Sequence, residues 1–179
     1  MFFLYCNLQS YRRNLCTIIK TTDILKHEKI LVLGLGNVLM GDEGIGVKAI
    51  EYLMHKPLPS NVQLLDGGTG GFHLLSFFKE YLKMILIDAT ISNNVVGEVK
   101  HIRPKFASDF PKSLSSHDIG LRDLMQSAQL IGELPDMHLI TISIVDFRNV
   151  QMKLTPEVEQ SLPKVYDMVL EIIKELGSV

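Results

Sequence analysis

Ile30-Leu31-Val32-Leu33-Gly34-Leu35-Gly36-Asn37-Val38-Leu39-Met40-Gly41-Asp42-Glu43-Gly44-Ile45-Gly46 is the stretch that decides how this chain folds. It begins with an unbroken apolar run closed by glycine. A strand with one face in water alternates polar and apolar residues, so an unbroken run predicts a strand buried on both faces. A loop follows, ending in Asp42-Glu43. Asp42 is predicted to open an amphipathic helix with Ile45, Ala49, Ile50 and Leu53 on one side. A doubly buried strand followed by an amphipathic helix is the start of a parallel, helix-covered sheet.

The same alternation repeats outward. Val62-Gln63-Leu64-Leu65-Asp66 predicts a second strand, ended by Gly67-Gly68, and residues 72–81 a second helix. Met84-Ile85-Leu86-Ile87-Asp88 predicts a third strand, again apolar and again closed by aspartate. Residues 98–103 alternate more and predict an edge strand, and residues 117–130 a helix. Leu139-Ile140-Thr141-Ile142-Ser143-Ile144-Val145 predicts a further strand. Thr155-Pro156 marks a helix start. Val158, Leu162, Val165, Val169, Ile172, Ile173 and Leu176 then keep helical spacing, with Pro163 expected to kink that helix or split off its first turn. The expectation is an α/β fold: three layers, α/β/α, around a mainly parallel twisted sheet of about five strands, phosphorylase/hydrolase-like in class.

Bulk properties narrow the function. The 179 residues favour one domain, and the pattern places it at 29–179. Residues 1–28 lack a clear period and the features of a secretory signal; they are expected to be an extension outside the domain, disordered or arising from an upstream start. A net charge of -2 offers no broad attraction for nucleic acid or anionic membrane. No apolar run approaches the ~20 residues that span a bilayer, so no membrane insertion is expected. Cys6 and Cys16 are the only cysteines, which excludes a disulfide framework and a thiolate metal site in the domain.

Ligands of open α/β sheets bind outside the carboxyl ends of the strands, and here those ends carry acids. Asp42 and Glu43 follow the first strand, Asp66 ends the second and Asp88 the third. If the strands are neighbours, the carboxylates converge and raise one another's pKa unless a cation or a shared proton intervenes. Each acid also has a plainer reading. Asp42 is most simply a helix cap, Glu43 an anion favoured by the helix dipole, and Asp66 before Gly-Gly a turn residue. Asp88, closing an apolar strand, is expected to be partly buried and to need a partner. Among six histidines, His117 in a polar loop can be a helix-start residue or a metal ligand; His73, inside a helix, is assigned the structural role. There is no phosphate-loop motif, no His-Glu-x-x-His helix and no Gly-x-Ser-x-Gly elbow. The run from Gly34 to Leu39 begins like a dinucleotide fingerprint but has Leu39 where the third glycine belongs.

Taken together, residues 33–46, Asp66-Gly67-Gly68-Thr69, Ile87-Asp88-Ala89, Ser116-His117 with Gly120-Leu121, and Leu154-Thr155-Pro156-Glu157-Val158 resemble, in order and spacing, the signatures of the nickel-iron hydrogenase maturation endopeptidases. The resemblance covers residues 29 to about 176. It departs at Ile144-Val145-Asp146-Phe147, where many members carry a proline-containing segment, and at Glu43, where some have aspartate. It implies a cytoplasmic aspartic-type endopeptidase that removes the C-terminal extension of a nickel-loaded hydrogenase large-subunit precursor. By position it implies that Glu43, Asp88 and His117 bind nickel, with Glu43 and Asp88 the catalytic candidates. No permanent cofactor is expected, because the substrate presents the nickel, and a monomer is expected. Two other readings stand beside it: a Rossmann-like nucleotide-binding module with Asp66 on a ribose, and a non-proteolytic hydrogenase assembly factor.

Overall fold

A computed structural model describes residues 29–91, 95–105, 109, 121–132, 134–145 and 150–177. Five strands form one sheet: β1 (Ile30–Gly34), β2 (Val62–Asp66), β3 (Lys83–Ile91), β4 (Val99–Ile102) and β5 (Asp136–Ile144), in the order β2-β1-β3-β5-β4. All pairings are parallel except β4 with β5, so β4 is the antiparallel edge strand. This is the predicted three-layer α/β/α architecture.

The helices are α1 (Ile45–Leu53), α2 (Leu75–Glu80), α3 (Leu121–Ile131), α4 (Pro156–Glu159) and α5 (Leu162–Gly177). Strand alternation sorts the core into two layers. Ile30, Val32, Ile85 and Ile87 pack under α1, α4 and α5; Leu31, Leu33, Met84 and Leu86 pack under α2 and α3. β1 is buried along its whole length, because both faces are covered. The break expected near Pro163 falls before it: α4 ends at Glu159, and α5 begins at Leu162 with the proline in its first turn, where its missing N–H costs nothing.

Two local expectations need correction. Asp42 does not open an α-helix. It lies in a short 3₁₀ turn, Gly41–Gly44, that precedes α1, and it makes no capping hydrogen bond there. The segment expected as one helix from Phe72 to Tyr81 begins with a 3₁₀ turn, Phe72–Leu74, and is helical only from Leu75 to Glu80. Helix α3 starts at Leu121; residues 117–120 of that expectation, with His117, lie outside the described residues, as does the extension 1–28. Among the described residues no helix is long and apolar enough to cross a membrane.

Candidate active site at the β1/β3 switch point

The chain leaves β1 toward β2 on one side and returns to β3 on the other. Such a reversal opens a crevice at the carboxyl ends of the two strands. The turn Gly41–Gly44 covers one wall of it, and β3 forms the other at Asp88, which does not close the strand as expected but lies just past its pairing with β1, while β3 runs on to Ile91 beside β5. Asp88 follows Ile87, which lies in register with Gly34, the last residue of β1.

Glycine lets the turn come this close. Gly36 has φ +140°, and a Cβ there would collide with the carbonyl oxygen of Glu43. Gly46, in the first turn of α1, lies so near the carbonyl oxygens of Leu35 and Ile87 that any side chain would displace it from the sheet. The amides beside these glycines are already engaged. Leu35 N–H donates to the Ile87 carbonyl at 2.8 Å, and Gly36 N–H donates to the Gly68 carbonyl at 2.7 Å. A phosphate-cradling loop needs such amides turned toward a ligand. Here these two amides fasten β1 to its neighbours, which argues against a phosphate cradle at the Leu35–Gly36 turn.

The four acids of this edge take three different roles. Asp66 is a turn residue: its Oδ1 accepts from Gly68 N–H at 2.8 Å, and the side chain stays exposed. Asp42 is buried, 5% exposed, and binds across the fold. Its two oxygens accept from Thr155 N–H at 2.7 Å and from the Thr155 hydroxyl at 2.9 Å. Thr155 therefore spends its hydroxyl on Asp42 rather than on capping α4. Glu43 is buried at 4% exposure with both carboxylate oxygens out of water. Asp88 is partly buried, and its Oδ1 accepts from the following amide, Ala89 N–H, at 2.8 Å.

Electrostatics tie the last two together. The Asp88 carboxyl is raised from 3.8 to about 7: burial is the largest cause, the Ala89 hydrogen bond opposes it, and the nearby charge of Glu43 adds to the rise. Two acids brought together away from water make a pocket that favours a cation or a shared proton. Of the sequence-predicted set, the structure thus brings Glu43 and Asp88 together, and leaves Asp42 and Asp66 in structural roles. His117 lies outside the described residues, and among the described residues no group of three His, Cys, Asp or Glu forms a complete metal cluster.

Three contributors escaped the sequence reading. Thr155 anchors Asp42 from 113 positions away. Gln151 forms an isolated parallel bridge to Met40 beside the acidic turn. Thr141 is buried in register with Asp88 on the neighbouring strand β5. The alternation Thr141-Ile142-Ser143 was the one available signal, since it places polar groups on the face that carries Asp88.

A family profile described as hydrogenase maturation protease matches residues 47–172, which includes Asp88 and His117 and begins just after Glu43. The chain is 34% identical over 156 residues to the hydrogenase expression/formation protein HupD of Bradyrhizobium diazoefficiens, covering 83% of this chain and 80% of that one. It is 34% identical over 152 residues to the hydrogenase 2 maturation protease of Escherichia coli, covering 83% and 93%. Among solved structures, the hydrogenase maturating endopeptidase HybD from E. coli superimposes with a TM-score of 0.75 at 33% identity, covering 83% of this chain and 94% of that one. With fold, crevice and sequence in agreement, this chain belongs to the hydrogenase maturation protease family.

Proposed function

We propose that this protein cuts the C-terminal extension from a nickel-loaded hydrogenase large-subunit precursor, with Glu43 and Asp88 at the reacting edge and His117 as the third metal-facing group. The observation that carries the proposal is the pairing of Glu43 and Asp88 in the β1/β3 crevice of a chain from this family. A carboxyl raised to about 7 sheds its proton readily once a cation arrives. Two carboxylates and an imidazole make an open donor set of borderline hardness, suited to a metal that the substrate's own thiolates already hold. Nickel in this scheme belongs to the substrate; it would polarise a carbonyl or anchor the precursor.

This chain's own residues supply the rest. Asp88 and Glu43 orient a water at the scissile bond and take its proton. Asp42, held by Thr155, keeps the turn carrying Glu43 against β3. His117 lies four positions before α3 in the sequence, and α3 packs Leu124, Met125 and Ala128 on the face of the sheet that carries Asp88. Cytoplasmic location and a monomeric state complete the proposal.

The test is incubation of the purified protein with nickel-loaded and nickel-free precursor from the same organism, followed by mass of the product. The loaded form should be shortened and the nickel-free form left intact. His117→Ala and Asp88→Asn should each stop processing while circular dichroism shows the fold retained. Normal cleavage by both variants would remove the site. Stable capture of loaded precursor without cleavage would instead favour the assembly-factor reading.

A further inference from the structure

Toward their carboxyl ends β3 and β5 turn polar on one face only. Residues paired across a sheet point the same way, so Met84, Leu86, Asp88 and Thr90 of β3 share a face with Met137, Leu139, Thr141 and Ser143 of β5. Met84, Leu86, Met137 and Leu139 belong to the core under α2 and α3. One step further the same face carries Asp88 beside Thr141, and then Thr90 beside Ser143. At that height the opposite face stays apolar, with Ile140, Ile142 and Ile144 buried in the other core layer. The change is confined to the side that carries Asp88.

Thr141 is 4% exposed, and its strand is paired on both sides, with Asp88 opposite it on β3 and Lys100 on β4. The sheet does not need its hydroxyl. Valine would fill nearly the same space and bury no polar group, and a hydroxyl held out of water costs free energy until it finds a partner. By register its polar neighbour is Asp88. The Asp88 carboxyl accepts from Ala89 N–H through Oδ1, and no hydrogen bond joins it to Thr141 directly. Neighbouring strands lie about 4.8 Å apart. That spacing leaves room for one small oxygen ligand between a carboxylate and a hydroxyl, within hydrogen-bond reach of both.

Peptide hydrolysis calls for such a ligand. A water bound to one carboxylate swings about that contact and meets the carbonyl in few productive orientations. A second hydrogen bond stops the swing. Asp88 accepts one O–H of the water, the Thr141 hydroxyl accepts the other, and the lone pairs are left for the carbonyl. We infer that Asp88 and Thr141 hold the attacking water between them, which makes Thr141 a catalytic residue of the proposed cleavage. The water passes one proton to Asp88 as its oxygen adds to the scissile carbonyl carbon, and that proton leaves on the amine when the carbon–nitrogen bond breaks. The inference rests on the proteolytic reading and adds the second contact of its nucleophile.

The experiment is steady-state processing of nickel-loaded precursor by the wild type, Thr141→Val, Thr141→Ser, Thr141→Ala and Ser143→Ala, with crystals of each enzyme free of precursor. Threonine against valine, and serine against alanine, are two comparisons that change the hydroxyl and little else, so a poorly folded member of one pair leaves the other decisive. Thr141→Val and Thr141→Ala should lower kcat about tenfold with KM within about twofold, and Thr141→Ser should stay within about threefold of the wild type. Ser143, as deeply buried on the same face but in register with Thr90, is the control; Ser143→Ala should keep kcat within about twofold. The crystals should show one ordered water within reach of both Asp88 and Thr141 in the wild type and in Thr141→Ser, and none there in Thr141→Val. Wild-type kcat in Thr141→Val, a Thr141→Ser no faster than Thr141→Ala, an equal loss in Ser143→Ala, or a rise in KM alone would overturn the inference. So would wild-type crystals without the shared water. A wild type that holds this water yet fails to cleave loaded precursor would sink the protease reading and leave the Asp88–Thr141 water site standing; cleavage indifferent to the hydroxyl would do the reverse.

Discussion

The two ends of the sheet treat charge in opposite ways. At the amino end of the parallel strands, charged groups meet counter-charges or helix carbonyls. Arg103 bonds Asp136 at 2.9 and 3.0 Å and Glu175 at 3.0 Å, and Lys83 donates to the Leu176 carbonyl, at the end of α5, at 2.7 Å. Fully buried His138 has its Nδ1 2.8 Å from His101 Nε2, with the two rings stacked. At the carboxyl end the fold instead brings the acids Glu43 and Asp88 into one poorly solvated crevice, where each disfavours the other's charge. The first arrangement serves stability. The second makes charging Asp88 costly, a cost that folds place at functional sites rather than in support of stability.

The sharpest way to break this contrast is Asp88→Asn. Asp88 ionises at about 7 in the folded chain and near 3.8 unfolded, so at neutral pH and above its charge costs stability. The residue keeps some exposure, which moderates the cost. The amide should therefore raise the stability of the metal-free protein by about 1–3 kcal/mol while abolishing processing. Chemical denaturation and a cleavage assay on the same preparation check it; a destabilised variant would show that the acid is structural.

Asp42→Ala should act in the other direction. It leaves the partly buried Thr155 N–H without its acceptor and frees the acidic turn, so a loss of about 1–2 kcal/mol is expected together with lower kcat. Asp42→Asn, which keeps one acceptor, should recover part of both. Equal kcat in all three proteins would separate the Asp42–Thr155 link from the reacting edge.

A smaller effect is expected from the histidine pair. Burial lowers the His138 pKa below 6.5; the charges of His101 and Arg103 lower it too, while Asp136 and Glu175 oppose. The unfolded chain then binds a proton that the folded chain resists. Stability contributed by this pair is full above about pH 6.5 and is lost as pH falls below it. Melting temperature should drop between about pH 7.5 and about pH 5, and His138→Leu should flatten that drop. An unchanged slope in the variant would move the acid sensitivity elsewhere.

The smallest effect belongs to Arg103→Ala. All three partners of this network are about half exposed, so solvent screens them and the loss should stay within about 1 kcal/mol. Urea midpoints at low and high salt would measure it. A larger, salt-insensitive loss would mean that the amino edge depends on this network for more than surface charge.

Much of the fold was legible because its signals are local. The unbroken run Ile30–Leu33 reports burial on both faces, the apolar spacing from Leu162 to Leu176 reports one helix face, and Pro163 announces a helix boundary near it. The candidate site was legible in part. Asp88 stood out because a carboxylate closing an apolar run is expensive wherever it lies, although the strand continues past it to Ile91, and Asp66 before Gly-Gly was already a turn. Asp42 was misplaced: its acceptor oxygens look like a helix cap in sequence, and nothing local reveals that Thr155 competes for them. His101 and His138, 37 positions apart, give no hint of each other.

Sequence alone determined the layered α/β plan, the edge at which acids gather and the family to which the chain belongs, since each follows from periodicity or from residue order along the chain. Only the tertiary structure decided which acids meet. Proximity of Glu43 to Asp88, and of Asp42 to Thr155, depends on strand order and on glycines that let one turn approach β3 near Ile87. Desolvation and Coulomb interaction act through space, so the raised pKa of Asp88 does not exist before the chain has folded.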